Sequence, residues 1–181
     1  MTTRCEWANK SPELMYYHDC RWGKPVYDFN GLFHALVLEI FQAGLSFQTV
    51  LKFELGLKSA FANFNPQDVA NYSEEKWNDL YNDKNIIRNH AKIDAVLHNA
   101  MVISADVDRF IEIVWGNTND MPIDHRLSHD LGQDEMRFFV DKYVQQFKQM
   151  GLKRMGPVTT YSFLQAVGVV NDHILDCAFR K

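Results

Sequence analysis

Gly151-Leu152-Lys153-Arg154-Met155-Gly156-Pro157 is the stretch on which the reading of this chain turns. Helical punctuation stands on both sides of it, over about Asp134–Met150 before and Pro157–Val167 after. Gly151 sits where a C-terminal cap belongs, and Pro157 suits a first helical position. A glycine-bearing turn this short can expose successive backbone N–H groups, and the following helix adds the positive end of its dipole. With Lys153 and Arg154 beside it, the turn has the makings of a phosphate-sized anion site. A plain helix–helix turn is the other reading the segment leaves open. The local charge leans positive, since no carboxylate occurs from Lys142 to Asn171.

The same punctuation repeats outward along the chain. Asn30 can cap a helix from about Leu32 to Ala43 that Gly44 stops. Ser46 can cap the next, reaching about Ala62, and Asn65-Pro66 places a cap residue before a first-turn proline. Ser73 followed by Glu74 and Glu75 opens another, with acids where the helix dipole favours them. Further helices are expected at about Arg88–Ser104 and Val107–Trp115, the latter closed by Gly116. No stretch alternates with period two. The fold class is all-α, with Thr118–Gly132, polar and aperiodic, as a surface loop.

Composition narrows the classes further. At 181 residues, the chain is expected to form one domain over 1–181 that buries a core without staples. A hydrophobic fraction of 46% excludes a disordered chain. No apolar run reaches the ~18 residues of a membrane span, and Met1–Lys10 lacks the apolar stretch of a signal peptide. Three cysteines leave no even pairing, which points to a reducing, cytoplasmic setting, with Cys20 as a bystander. The net charge of −4 argues against bulk nucleic-acid binding. Lys84, Arg88 and Lys92 recur at helical spacing, however, and read as a basic stripe on one helix face. No amphipathic seam suggests a dimer, so a monomer is expected.

Three sets of residues carry candidate chemistry. Cys5 and His18 near one end, and His173 and Cys177 near the other, make up a Cys₂His₂ set, a typical closed tetrahedral zinc shell. His173 and Cys177 would share a face if they lie on one helical turn. The spacing of the first pair is unusually wide, so ordinary thiols and incidental histidines remain the alternative. Glu39 interrupts the apolar run Leu32-Phe33-His34-Ala35-Leu36-Val37-Leu38-Glu39-Ile40-Phe41. Burying an ionised carboxylate costs several kcal/mol unless it is paired. Glu39 therefore has an internal partner, lines a pocket, or faces water. Trp7, Tyr16, Tyr17, Trp22 and Phe47 supply rings that alone read as core. Beside an acceptor such as Glu39 they are also what a purine pocket needs, with ring faces to stack the base and a carboxylate or phenol to read its edge.

Taken together, Arg4-Cys5-Glu6-Trp7, Tyr17-His18-Asp19, Trp22-Gly23, Glu39, Gln42-Ala43-Gly44-Leu45-Ser46, Ile86-Ile87-Arg88-Asn89 with Lys92-Ile93, Tyr161-Ser162-Phe163-Leu164-Gln165-Ala166 and Val170-Asn171-Asp172-His173 resemble one family. That family is the DNA-3-methyladenine glycosylases I, of the constitutive bacterial type. The match runs from about Arg4 to Cys177. It implies a helix-hairpin-helix glycosylase fold and one structural zinc held by Cys5, His18, His173 and Cys177. It also implies a hairpin at Leu152–Gly156 on backbone phosphate, with Lys153, Arg154 and Gly156 at the DNA. Glu39 and Tyr17 match the base-reading residues, and Trp7 an aromatic of the same pocket. Gln42, Gly44 and Leu45 belong to the segment that enters the DNA stack.

The implied substrate is double-stranded DNA containing alkylated bases. The implied reaction is flipping and hydrolysis that release 3-methyladenine, with a non-catalytic damaged-DNA-binding relative as the alternative. Alkylation at N3 leaves the adenine cationic and already a good leaving group, so less catalytic help is needed. The family lacks the aspartate that many relatives place after the hairpin, and none occurs here between Pro157 and Asn171. Three positions depart from the family pattern. Phe47 replaces a tryptophan and shrinks the stacking face, Ile40-Phe41 replaces polar or small residues, and Arg154 replaces an aromatic and makes the turn more basic.

Overall fold

The structure, a computed structural model, describes residues 2–129 and 131–180. The helix that organises it is the one the sequence makes most apolar. α2 (Phe29–Gln42) buries Leu32, Phe33, Leu36, Val37, Leu38, Ile40 and Phe41, and a helix apolar on all sides belongs in the middle of a domain. It packs against α3 (Phe47–Ala60), α6 (His90–Ala105) and α9 (Pro157–Ala166). Its cap is Asp28, which accepts from the amide of Gly31 at 2.7 Å, so the expected Asn30 lies inside the helix.

Around this centre, α4 (Pro66–Ala70) and α5 (Glu74–Asn82) pack on α6, and α7 (Val107–Trp115) leads to α8 (Gln133–Met150), which lies on α9. Ser46, Asn65 and Ser73 cap α3, α4 and α5 as expected. Gly151, at φ +93°, ends α8 by donating its amide to the carbonyls of Lys148 and Phe147. The protein is mostly helical. No helix among the described residues is long and apolar enough to cross a membrane.

Several expectations need correction. α1 (Pro12–Cys20), capped by the Ser11 hydroxyl, was not anticipated. The segment Thr118–Gly132 is not merely a surface loop: β1 (Ile123–Asp124) pairs in parallel with β2 (Val170–Asn171), a short bridge too small to show as alternation. Residues 173–177 form no helix, only a turn at 175–176, yet His173 and Cys177 still converge. The basic stripe is also absent. Lys84 and Arg88 are exposed but lie before α6 begins, whereas Lys92 is buried inside it.

Candidate active site

Glu39 is carried into the interior by the last turns of α2. It is 5% exposed, and no hydrogen-bond partner for its Oε2 is found among the described residues. Burial alone raises its pKa to about 8. Glu39 therefore has neither of the two inert fates a lone acid in an apolar helix suggests: it has no arginine partner, and it does not face bulk water. It lines a cavity of about 290 Å³ together with Trp7, Tyr17, Trp22, Gln42 and Phe47. That volume lies near the lower end of small-molecule sites, ~300 Å³.

The rings around the cavity form one connected set. Tyr17 on α1 and Phe47 at the start of α3 lie 4.6 Å apart, and Trp7 meets Trp22 edge-on at 5.0 Å. Tyr16, by contrast, is exposed. Burial, and secondarily the proximity of Glu39, push the Tyr17 phenol well above its ordinary pKa, so it remains a protonated donor.

Of the opposite wall, the sequence offers Tyr161, Ser162, Gln165 and Asp172 only as parts of family motifs, without a role. Tyr161, Ser162 and Gln165 come from α9, Leu127 and Leu131 from the segment before α8, and Asp172 from the end of β2. Asp172 is buried. It accepts from the Tyr161 hydroxyl, from Gln165 Nε2 at 2.8 Å and from His125 Nδ1 at 2.7 Å. Burial opposes its ionisation, but hydrogen bonds from His125, Tyr161 and Gln165 prevail and hold its pKa below the ordinary value. The i, i+4 spacing of Tyr161 and Gln165 was the available clue, although it does not announce a partner on another segment.

Behind Trp7 and Trp22, the two ends of the chain meet. The donor atoms of Cys5, His18, His173 and Cys177, all buried, lie within 4.8 Å of one another. Cys177 Sγ is 3.6 Å from His18 Nε2 and 3.4 Å from His173 Nδ1, and Cys5 Sγ is 3.8 Å from His173 Nδ1. A tetrahedron with sulfur at about 2.3 Å and nitrogen at about 2.0–2.1 Å has S···N edges of about 3.5–3.6 Å, so the donor set fits a tetrahedral metal ion. The remaining ring nitrogens are also placed for that role. His18 Nδ1 meets Asp19 Oδ1 at 2.8 Å, and Arg4 holds that carboxylate from the other side. A carboxylate on the outer nitrogen fixes the tautomer of a ligating histidine. Burial lowers the pKa of His173 to about 4, leaving it the neutral form that ligation requires.

The sequence pattern of methyladenine glycosylases matches residues 7–181. The chain belongs to the methyladenine glycosylase family. A DNA-3-methyladenine glycosylase of Haemophilus influenzae is 34% identical over 181 residues, covering 98% of this chain and 97% of that protein. The crystal structure of 3-methyladenine DNA glycosylase I aligns with a TM-score of 0.87 at 34% identity, over 97% of this chain and 98% of that one. A tyrosine-to-phenylalanine variant of 3-methyladenine DNA glycosylase I, in complex with 3-methyladenine, aligns with a TM-score of 0.83 at 31% identity, over 98% and 97% of the two chains.

In this methyladenine glycosylase, the turn after α2 directly follows Gln42, which lines the cavity. Gly44 adopts φ +78°, a side chain there would meet nothing, and Leu45 is an exposed apolar residue at the tip. The segment 151–156 is a hairpin between α8 and α9 with Lys153 and Arg154 exposed. Asn99 on α6 secures it, accepting from the Lys153 amide at 2.8 Å and donating to the Lys153 carbonyl at 3.0 Å. A side chain added at Gly156 would likewise meet nothing, so a ligand can approach its backbone closely.

Proposed function

We propose that this chain is a DNA base-excision repair enzyme, a monofunctional, single-domain glycosylase that hydrolyses the N-glycosidic bond of N3-alkylated adenine and releases 3-methyladenine. The observation that carries the reading is Glu39, a buried carboxyl with an unpartnered oxygen in an aromatic-lined cavity. It works on double-stranded DNA containing alkylated bases, as a monomer. A reducing cytoplasm keeps Cys5 and Cys177 as thiol ligands. Zinc, one per chain, is the metal that best suits two sulfurs and two imidazoles at tetrahedral distances. Cys5, His18, His173 and Cys177 would hold it, and its contribution would be to fasten the termini.

The damaged nucleotide leaves the stack and enters the cavity, where Trp7, Tyr17 and Phe47 enclose the ring. Glu39 and the Tyr17 hydroxyl read the polar edge of the adenine, and water attacks the sugar as the base departs. Gln42, Gly44 and Leu45 occupy the space vacated in the stack. The hairpin carrying Lys153, Arg154 and Gly156 grips backbone phosphate in the helix-hairpin-helix manner. Incubation with methylated duplex DNA should release free 3-methyladenine. Binding of methylated duplex without base release would instead reveal a damage sensor of the same fold.

The hairpin should set DNA affinity without choosing the lesion. Changing Lys153 and Arg154 to Glu is expected to weaken binding of damaged and undamaged duplexes about equally and to flatten the salt slope by about 2, since two counterion-releasing contacts are lost. Titrations at several salt concentrations check this. A double variant with full DNA affinity but altered lesion preference would place the phosphate site elsewhere.

A further inference from the structure

Lys92 lies in the first turns of α6 and is 4% exposed. A buried ammonium ordinarily needs a carboxylate. Lys92 instead donates to two backbone carbonyls, Phe41 O at 2.7 Å and Ala43 O at 2.5 Å. These belong to the last turn and C-cap of α2, where unpaired carbonyls concentrate the negative end of the helix dipole. At the end of α8 such carbonyls are closed by the backbone amide of Gly151. At the end of α2, the Lys92 side chain supplies the donors.

The neighbouring residue of α6 makes a matching contact. Ala91 O accepts from Arg154 Nε of the hairpin at 3.1 Å. Two consecutive residues of one helix thus hold two separate surface features, the 43–45 turn that follows the cavity residue Gln42 and the basic hairpin. Among the described residues the turn has little else to fix it: Gly44 and Leu45 are exposed, and the Leu45 amide donates back to Gln42 O at 2.7 Å. Its offset from Glu39 is set along α2, and its offset from the hairpin is set through α6.

We infer that Lys92 is a positioning residue for entry into duplex DNA: by holding the end of α2 on α6, it keeps the Ala43-Gly44-Leu45 turn at a fixed distance from the hairpin, so that the turn enters the stack while the hairpin holds the backbone. The inference rests on the reading of the chain as a base-flipping glycosylase. Lys92 is not among the residues that line the cavity, so its proposed role is in entry to the duplex and not in base reading. A misplacement of about 1 Å in a positioning element can cost on the order of 100-fold in rate.

The test uses a strand with a single adenine, methylated and annealed to a partner with either thymine or an abasic site opposite the lesion. With the abasic partner, no base pair has to be broken. Lys92→Met removes both hydrogen bonds at similar length, and Lys92→Gln restores one donor. In single-turnover assays, Lys92→Met is expected to excise the paired lesion on the order of 100-fold more slowly, the unpaired lesion within a few-fold of wild type, and Lys92→Gln is expected to fall between. Free 3-methyladenine binding, followed by tryptophan fluorescence, should be retained. Equal losses on both substrates, or no loss on the paired one, would overturn the proposal. Failure of both variants to fold would overturn it too, because Lys92 would then be holding the core and not the turn. Wild-type protein that releases base from neither substrate would instead refute the glycosylase reading itself.

Discussion

Glu39→Gln is expected to slow excision of 3-methyladenine by on the order of 100-fold while making the protein more resistant to unfolding, and the two effects share one cause. In the cavity, burial raises the pKa of Glu39 to about 8 from an ordinary 4.5. At pH 7 the group is therefore mostly protonated, and ionising it costs about 1.4 kcal/mol. A cationic purine at about 4 Å returns roughly 4 kcal/mol at an effective dielectric of 20. If Glu39 reads the base as proposed, the attraction wins and the carboxyl releases its proton to solvent as the alkylated base enters. A neutral adenine offers no such return and meets a neutral acid. The difference, about 2.6 kcal/mol, is the source of both the selectivity and the predicted 100-fold loss. Affinity for an abasic product, which has no base to read, should change far less.

The stability half of the prediction follows from the direction of the shift. The folded chain keeps a proton on Glu39 that the unfolded chain releases, so stability falls as pH rises from 4.5 to about 8. By pH 7 this amounts to about 3 kcal/mol, a penalty that glutamine does not carry. The melting temperature of Glu39→Gln should exceed that of wild type by a margin that widens from pH 5 to pH 8. Melting curves across that range, alongside excision assays, check both claims. A folded variant with wild-type excision would sink the pocket assignment, even with the family membership intact.

How much of this was legible depended on whether a feature was local. The caps Ser46, Asn65 and Ser73 announce their helices because the hydroxyl or amide and the amides it receives lie within three residues. α1 carried the same Ser11-Pro12-Glu13 signature, yet its inner face holds Tyr17 and His18 in place of a continuous apolar stripe, so periodicity gave no support. Lys92 misled for the opposite reason. Its spacing from Arg88 looked helical, but α6 begins only at His90, and the carbonyls that receive its ammonium are about 50 residues away in sequence. In the sequence Asp172 stands out only as part of the motif before His173, although three side chains from two other segments converge on it. Glu39 was singled out because the cost of burying a charge can be read from one helix, and the metal set because residue type constrains it even across the length of the chain.

If the Cys5, His18, His173 and Cys177 cluster holds zinc as proposed, removing the metal should damage the base pocket before it damages the helical core. The four ligands are embedded in rings that continue into the cavity: His18 lies 5.8 Å from Trp22 and 5.2 Å from Trp7, and His173 lies 4.7 Å from Trp22. Trp7 is in turn 6.5 Å from Tyr17, whose ring meets Phe47. Away from the ligands, the tail is fastened by few contacts, such as the Ala178 amide to Thr3 O at 3.0 Å and Arg180 to Asp124. The core around α2, in contrast, is an extensive apolar cluster with no ligand in it. Structural zinc contributes ~10–16 kcal/mol in small peptides at neutral pH, far more than those tail contacts can replace. Chelation, or Cys177→Ala, is therefore expected to abolish free 3-methyladenine binding and excision, and to accelerate amide exchange over residues 3–22 and 170–180. The amides of α2, α6 and α8 should remain protected. Metal analysis of chelator-free wild type should give about one zinc per chain, and Cys177→Ala should give much less. Loss of metal with binding, excision and terminal protection intact would mean that the rings hold the pocket together unaided.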